Sequence, residues 1–275
     1  PRYLPADGFG DTDVALVNEP LGVLYAIEPW NFPFYQVIRI SAPQLMAGNT
    51  SVLKHAANVP QSALAMEQLY RDVGAPEGLL SNLFASHEDT DRILADARIR
   101  GVALTGSERA GSAVAATAAK HLKKSTLELG GADAFVVLAD ADIEKAARWA
   151  AFGRHWNAGQ VCVSSKRLIV VDEVADKFLE EYKKHVAELV AGDPMDPATT
   201  LAPLSSQKAA DDLAAQVEKA REEGVTVKII GAEVPEKGAF FQPMMLTDIP
   251  EDSTTAHTEF FGPVTQFYRA KDEED

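Results

Sequence analysis

The chain has 275 residues, 46% of them hydrophobic, and a formal charge of −15 from 26 Lys and Arg against 41 Asp and Glu. That length and apolar content fill one large or two medium cores, while the acidic excess argues against sequence-independent binding to nucleic acid, which relies on clustered lysine and arginine. One cysteine cannot form an internal disulfide, and no stretch reaches the ~20 apolar residues of a membrane span, so a cytoplasmic, reducing setting with no membrane partner is expected.

Residues 1–19 carry glycine, proline and acidic residues around one apolar strand at 14–17. Short β-rich runs then alternate with helical patterns: a strand at 23–27 and a helix at 35–46, a strand at 51–53 and a helix at 61–73, a strand at 102–105 and a helix at 110–122. This alternation predicts parallel βαβ units. Within the second helix Ala63, Leu64, Met66, Leu69, Tyr70 and Val73 recur at helical spacing, so it is expected to pack on a sheet and to carry no chemistry. The alternation restarts after Gly131 with strands at 135–138 and 167–171, helices at 143–154 and 174–190, and a last strand at 264–268. No signal peptide, solenoid-period repeat or low-complexity tract is present, and the terminal Lys271-Asp-Glu-Glu-Asp275 reads as a solvated edge.

Cys162 stands in Asn157-Ala-Gly-Gln-Val-Cys162, with glycine and polar neighbours, and Glu128 ends an apolar run before two glycines in Leu127-Glu-Leu-Gly-Gly131. The pair suggests thiol chemistry with a carboxylate base. Alone, a free cysteine is more often a small buried hydrophobe, and the glutamate also fits a strand end before a turn. A third signal, Pro29-Trp-Asn-Phe-Pro33, follows one strand and precedes one helix. These segments and Glu259-Phe-Phe-Gly-Pro263 resemble the four signature segments of the NAD(P)-dependent aldehyde dehydrogenase superfamily, in its order and at matching spacings, over a stretch from about Val17 to the C-terminus. Leu53-Lys-His-Ala-Ala-Asn-Val59 and Phe261-Gly-Pro-Val264 are most similar to its bacterial succinate-semialdehyde dehydrogenases.

The resemblance implies an α/β protein in which a Rossmann-like cofactor-binding domain (20–130) precedes an α/β catalytic thiol domain (131–275), both partial. Residues 1–19 resemble an oligomerisation-type strand segment, which implies a homo-oligomer, dimer or tetramer. The chain starts at Pro1 and stops within a charged stretch, so against the family pattern it is expected to be truncated at both ends.

Thr105-Gly106-Ser107-Glu-Arg-Ala-Gly111 follows a strand and opens a helix, where backbone N–H groups and the helix dipole suit a pyrophosphate. Its spacing is neither GxGxxG nor a P-loop, and Ser107 also fits an ordinary N-cap. By resemblance, Gly106, Ser107 and Gly111, with Trp30 alongside, hold the cofactor phosphates, Lys54 the adenosine ribose, Glu259 the nicotinamide ribose and Phe261 the nicotinamide. Ala57 stands where NAD-preferring relatives carry glutamate, so NAD and NADP both stay open. Cys162 is implied as the nucleophile, Glu128 as the base, and the Asn31 amide with the Cys162 N–H as oxyanion donors; a thiohemiacetal would become a thioester that water hydrolyses. Arg39 matches an arginine that holds the far carboxylate of a semialdehyde, and Arg154 is expected to add a second charge, although Trp156 stands where one semialdehyde group has arginine. The six histidines show no metal-ligand spacing. The small-molecule substrate is expected to be an aldehyde, succinate semialdehyde first. A non-acidic aldehyde, a CoA-acylating relative and a nucleotide-binding fragment without turnover remain alternatives.

Overall fold

A computed structural model of the chain describes residues 2–4 and 14–275. Residues 1 and 5–13, which belong to the expected oligomerisation segment, lie outside the described residues. The chain divides into two compact units, Pro1–Leu129 and Gly130–Asp275.

The first unit opens with an antiparallel pair, β1 (Arg2–Leu4) and β2 (Val14–Leu16). It continues as β3 (Val23–Glu28), α1 (Pro33–Met46), β4 (Thr50–His55), α2 (Pro60–Asp72), β5 (Leu80–Asn82), α3 (Asp89–Ala95), β6 (Ile99–Thr105), α4 (Glu108–Lys120) and β7 (Lys124–Glu128). Strands β3 to β7 make one parallel sheet in the order β5-β4-β3-β6-β7. Helices α1 and α2 both begin at a proline, whose fixed φ suits the first turn and whose missing N–H is not needed there. Side chains of β3 alternate between faces: Tyr25 packs with Leu94, Val102, Leu104 and Ala118, and Ala26 with Val37, Leu53, Ala63 and Met66. The strand order turns back between β3 and β6, and such a switch point opens a crevice at the carboxyl ends of the two strands. Glu28 and Thr105 are the last residues of those strands.

The second unit contains β8 (Ala134–Val137), α5 (Ile143–His155), β9 (Arg167–Val171), α6 (Asp172–Ala187), α7 (Gln207–Glu222), β10 (Thr226–Ile229), β11 (Met244–Thr247) and β12 (Val264–Ala270). The sheet order is β10-β11-β12-β9-β8, parallel except for β10 against β11. The sequence pattern did not mark α7, although Ala210, Leu213, Val217 and Ala220 form its buried stripe. Two of these four are alanines, too weakly apolar to announce a core face. Phe178 and Tyr182 of α6 are fully buried against β9 and α5, and the Tyr182 hydroxyl meets Thr265 Oγ1 at 2.7 Å. Among the described residues no helix is long and apolar enough to cross a membrane.

Replacing Tyr182 by Phe leaves the buried Thr265 hydroxyl without this partner. The expected loss is about 1–2 kcal/mol in urea unfolding, and an unchanged midpoint would show that the bond carries no net stability.

Candidate active site

In the first unit the chemistry gathers where strands end. After β3 the chain bends through Trp30 and Asn31, both half-buried, and enters α1 at Pro33. After β6 it turns through Gly106 into Ser107, which caps α4 by accepting from Ala110 N at 3.3 Å. The Gly106 N–H donates to the Glu128 carbonyl at 2.9 Å, which pins this turn to the end of β7. Gly111 is explained by packing: a Cβ there would stand 2.5 Å from a Leu129 methyl.

Glu128 is exposed at the end of β7, opposite Thr105 in register. Arg39 reaches both from α1, with Nη1 3.4 Å from Glu128 Oε2 and Nη2 donating to Thr105 Oγ1 at 3.1 Å. A partly exposed pair of this length contributes at most about 1 kcal/mol. Glu28 belongs to no motif, yet it is 2% exposed, and its two oxygens have no hydrogen-bond partner of good geometry among the described residues. Burial pushes its carboxyl up to about 8; the nearby Thr105 hydroxyl and Arg39 charge hold the rise down, and Glu128 adds to it. Glu28 is therefore mostly neutral at pH 7.

Lys54, near the end of β4, is 7% exposed, and desolvation lowers its pKa. It lines a cleft of about 350 Å³ with Ile27, His87, Leu104 and Arg109, closed on one side by α4. That cleft lies beside the switch point and the N-terminus of α4, as a dinucleotide requires.

In the second unit α5 ends in a 3-10 turn, Trp156–Gly159, whose last three residues Asn157, Ala158 and Gly159 all have left-handed φ (51°, 53° and 77°). Left-handed backbone at the buried Ala158 costs on the order of 1 kcal/mol. Gln160 secures the turn: its Nε2 donates to Asn157 O at 3.1 Å and its Oε1 accepts from Ser205 N at 2.9 Å. Only glycine suits position 159, where a Cβ would fall 2.3 Å from the Gly262 carbonyl oxygen. This rigid turn presents Cys162, which is half-buried and outside the hydrophobic clusters.

Lys166, which lies outside every sequence motif, is 1% exposed and donates to the Cys162 carbonyl. Its Nζ also lies 2.9 Å from Glu259 Oε1. Desolvation lowers the lysine's pKa and Glu259 opposes that. A Cβ at Gly130 would fall 1.9 Å from Glu259 Oε2, so this glycine clears space for the carboxylate. Phe261 is half-buried, while its neighbour Phe260 belongs to the core.

Arg154 corrects the expectation of a second substrate charge. It is fully buried and donates to the carbonyls of Val264, Gly159, Phe260 and Gly262 and to Ser164 Oγ. Its fork is filled by backbone, leaving no donor for a substrate carboxylate. The signal was present in the sequence: Ile143, Ala147, Ala150 and Arg154 fall on one helical stripe, and all four are buried. Among the described residues no cluster of His, Cys, Asp and Glu has the makings of a metal site.

Residues 3–275 match the model of the aldehyde dehydrogenase family. The chain belongs to that family. It is 50% identical over 264 residues to a succinate-semialdehyde dehydrogenase [NADP(+)] of Deinococcus radiodurans, covering 96% of this chain and 55% of that protein. A protein of the same name from Mycobacterium avium is 42% identical over 270 residues, covering 98% and 57%. Among solved structures, succinic semialdehyde dehydrogenase from Streptococcus pyogenes in complex with NADP+ superimposes with a TM-score of 0.93 at 43% identity, covering 99% of this chain and 59% of that one. This aldehyde dehydrogenase chain thus spans little more than half the length of these relatives.

Two stability measurements check the site. Arg154→Lys, which cannot reproduce the fork, is expected to cost about 3 kcal/mol or more; a stable variant with altered substrate affinity alone would reverse the correction. For Glu28 the folded carboxyl titrates higher than the unfolded one, so its contribution is fully present below about pH 4.5 and lost as pH rises to about 8. Glu28→Gln is therefore expected to gain on the order of 3–5 kcal/mol over the parent between acid and mildly alkaline pH, and parallel stability curves would contradict the burial argument.

Proposed function

We propose that this chain takes part in NAD(P)-dependent oxidation of an aldehyde, succinate semialdehyde by first choice, to the carboxylic acid. The observation that supports the reading is Cys162, a half-buried free thiol three residues after the left-handed turn Trp156–Gly159. The Cys162 thiolate adds to the aldehyde carbon, and the Asn31 amide with the Cys162 N–H receives the oxyanion. Bound NAD(P) supplies the hydride acceptor. Glu128 then takes a proton from the water that hydrolyses the thioester, and the carboxylic acid leaves the free thiol behind.

The residues present suit the cofactor. Lys54 in its cleft offers a cation to the ribose and phosphate, and Ala57 presents no carboxylate against a 2′-phosphate. Glu259, over Gly130, offers acceptors to ribose hydroxyls. NADP stands first because the two relatives named above are described as NADP(+) enzymes. Trp30, Gly106, Ser107 and Phe261 complete the proposed cofactor set, with Gly111 supporting it through packing. Arg39 is the remaining candidate for the substrate carboxylate. A neutral aldehyde is the rival substrate, and a homo-oligomer is the proposed assembly.

Reduction of NADP+ with succinate semialdehyde is expected to exceed that with a neutral aldehyde of equal length; equal efficiencies would reject the acidic substrate. Cys162→Ala should abolish oxidation, Glu128→Gln should slow thioester hydrolysis by ~100- to 10,000-fold, and Asn31→Ala should lower kcat by roughly 100- to 1,000-fold. Turnover by the Cys162 variant would end the covalent scheme.

A further inference from the structure

Glu28 is a buried carboxyl without a function in the scheme above. It shares one cavity, of about 120 Å³, with Arg39, Thr105, Thr126 and Glu128. The parallel register explains the grouping: Ile27 pairs with Leu104, and Thr105 pairs with Glu128, so the last residues of β3, β6 and β7 come side by side. Arg39 descends on them from α1 and in this structure is engaged by Glu128 and Thr105. Glu28 lies within reach of its charge but makes no bond to it.

We propose that the Arg39 guanidinium exchanges between two carboxyl groups, Glu128 and Glu28, and that Glu28 is thereby a positioning residue that decides when Glu128 is free to accept a proton. The inference rests on the reading of Glu128 as the base. With Glu28 neutral, Glu128 is the negative partner open to Arg39 in the cavity, and the pair forms. A carboxylate shared with a guanidinium is a poorer proton acceptor than one standing alone. Once Glu28 ionises, the balance turns, because an unpaired charge away from water is strongly unfavourable while a half-exposed pair is weak. Arg39 then moves to Glu28, and Glu128 swings clear.

The groups facing Glu28 are few. From α1 comes Arg39 and from β7 Glu128, while β6 offers only the uncharged Thr105. From β4 come Lys54, which lines the other cleft, and His55, whose ring nitrogens lie 3.2 Å from the Glu28 carbonyl and 2.9 Å from the Pro33 carbonyl. Arg39 is therefore the cation placed to answer a charge on Glu28, whose carboxyl burial holds neutral until about pH 8.

The test needs no cofactor. An activated ester such as p-nitrophenyl acetate acylates Cys162, and deacylation is followed from pH 6 to 9.5. The parent is expected to show a rise of about tenfold centred near pH 8, above the slope of Glu128→Gln, and Glu28→Gln is expected to lack that rise. Difference infrared spectra should show a protonated carboxyl band that disappears between pH 7 and 9 in the parent and is absent from Glu28→Gln. An undiminished alkaline rise in Glu28→Gln, or a parent without the carboxyl band at pH 7, would overturn the exchange. If Glu128→Gln deacylates as fast as the parent, the base assignment itself fails, a result separate from either of these.

Discussion

One buried guanidinium ties together segments of the second unit that lie far apart in sequence. Arg154 leaves α5 and binds carbonyls on the turn before Cys162, at Gly159, and on the stretch after Glu259, at Phe260, Gly262 and Val264. No carboxylate pairs with it at contact distance among the described residues; burial lowers its pKa to about 10, with Tyr182 and Glu259 opposing that. Carbonyl dipoles at hydrogen-bond distance replace the lost water, and the fixed fork of the guanidinium imposes their spacing. A lysine in its place, with three donors against five, would leave some of those acceptors unsatisfied. The fully buried charge is thus a device for register between pieces of chain more than a hundred residues apart.

In the first unit the corresponding constraint is the sheet itself. Parallel strands deliver their last residues to one edge, so residues as far apart in sequence as Glu28, Thr105 and Glu128 meet without any special contact drawing them together. Helix α1 then supplies the single cation that the cluster needs. Glu28, Thr105 and Glu128 are each the last residue of their strand, so their polar groups collect at this edge. The same logic places the turn capped by Ser107 at the end of β6, tied to β7 through the Gly106 N–H.

This division between local and long-range causes explains what the amino-acid sequence made legible. Strand and helix alternation was readable in the elements that bury a face of their own, and the proline starts of α1 and α2 shift the expected beginnings by only a residue or two. Motifs were readable because their residue types are unusual together: a cysteine after glycine and glutamine, an asparagine between prolines. Arg154 is close to Cys162 along the chain, but the helical stripe on which it lies turns it into the core. A carboxylate beside Pro29 has the sequence character of a loop start, whereas pairing with His55 extends β3 through Glu28, which is buried. Lys166 gave no signal at all, since four residues beyond a cysteine is no known spacing for anything; only the fold brings Glu259 to its ammonium.

Lys166 also shows how the two halves of a site come to depend on each other. Its ammonium donates to the Cys162 carbonyl and lies 2.9 Å from Glu259 Oε1, so the loop bearing Cys162 and the carboxylate proposed for the ribose share one buried cation. Gly130 makes the arrangement sterically feasible, because any side chain there would expel the Glu259 carboxylate from its place. The glycines of this family pattern therefore act in two different ways: Gly159 because its backbone is left-handed and pressed against a carbonyl, Gly130 because a neighbour's functional group occupies the space a Cβ would take. In both cases the missing Cβ is what lets the neighbouring group, the Gly262 carbonyl or the Glu259 carboxylate, take its place.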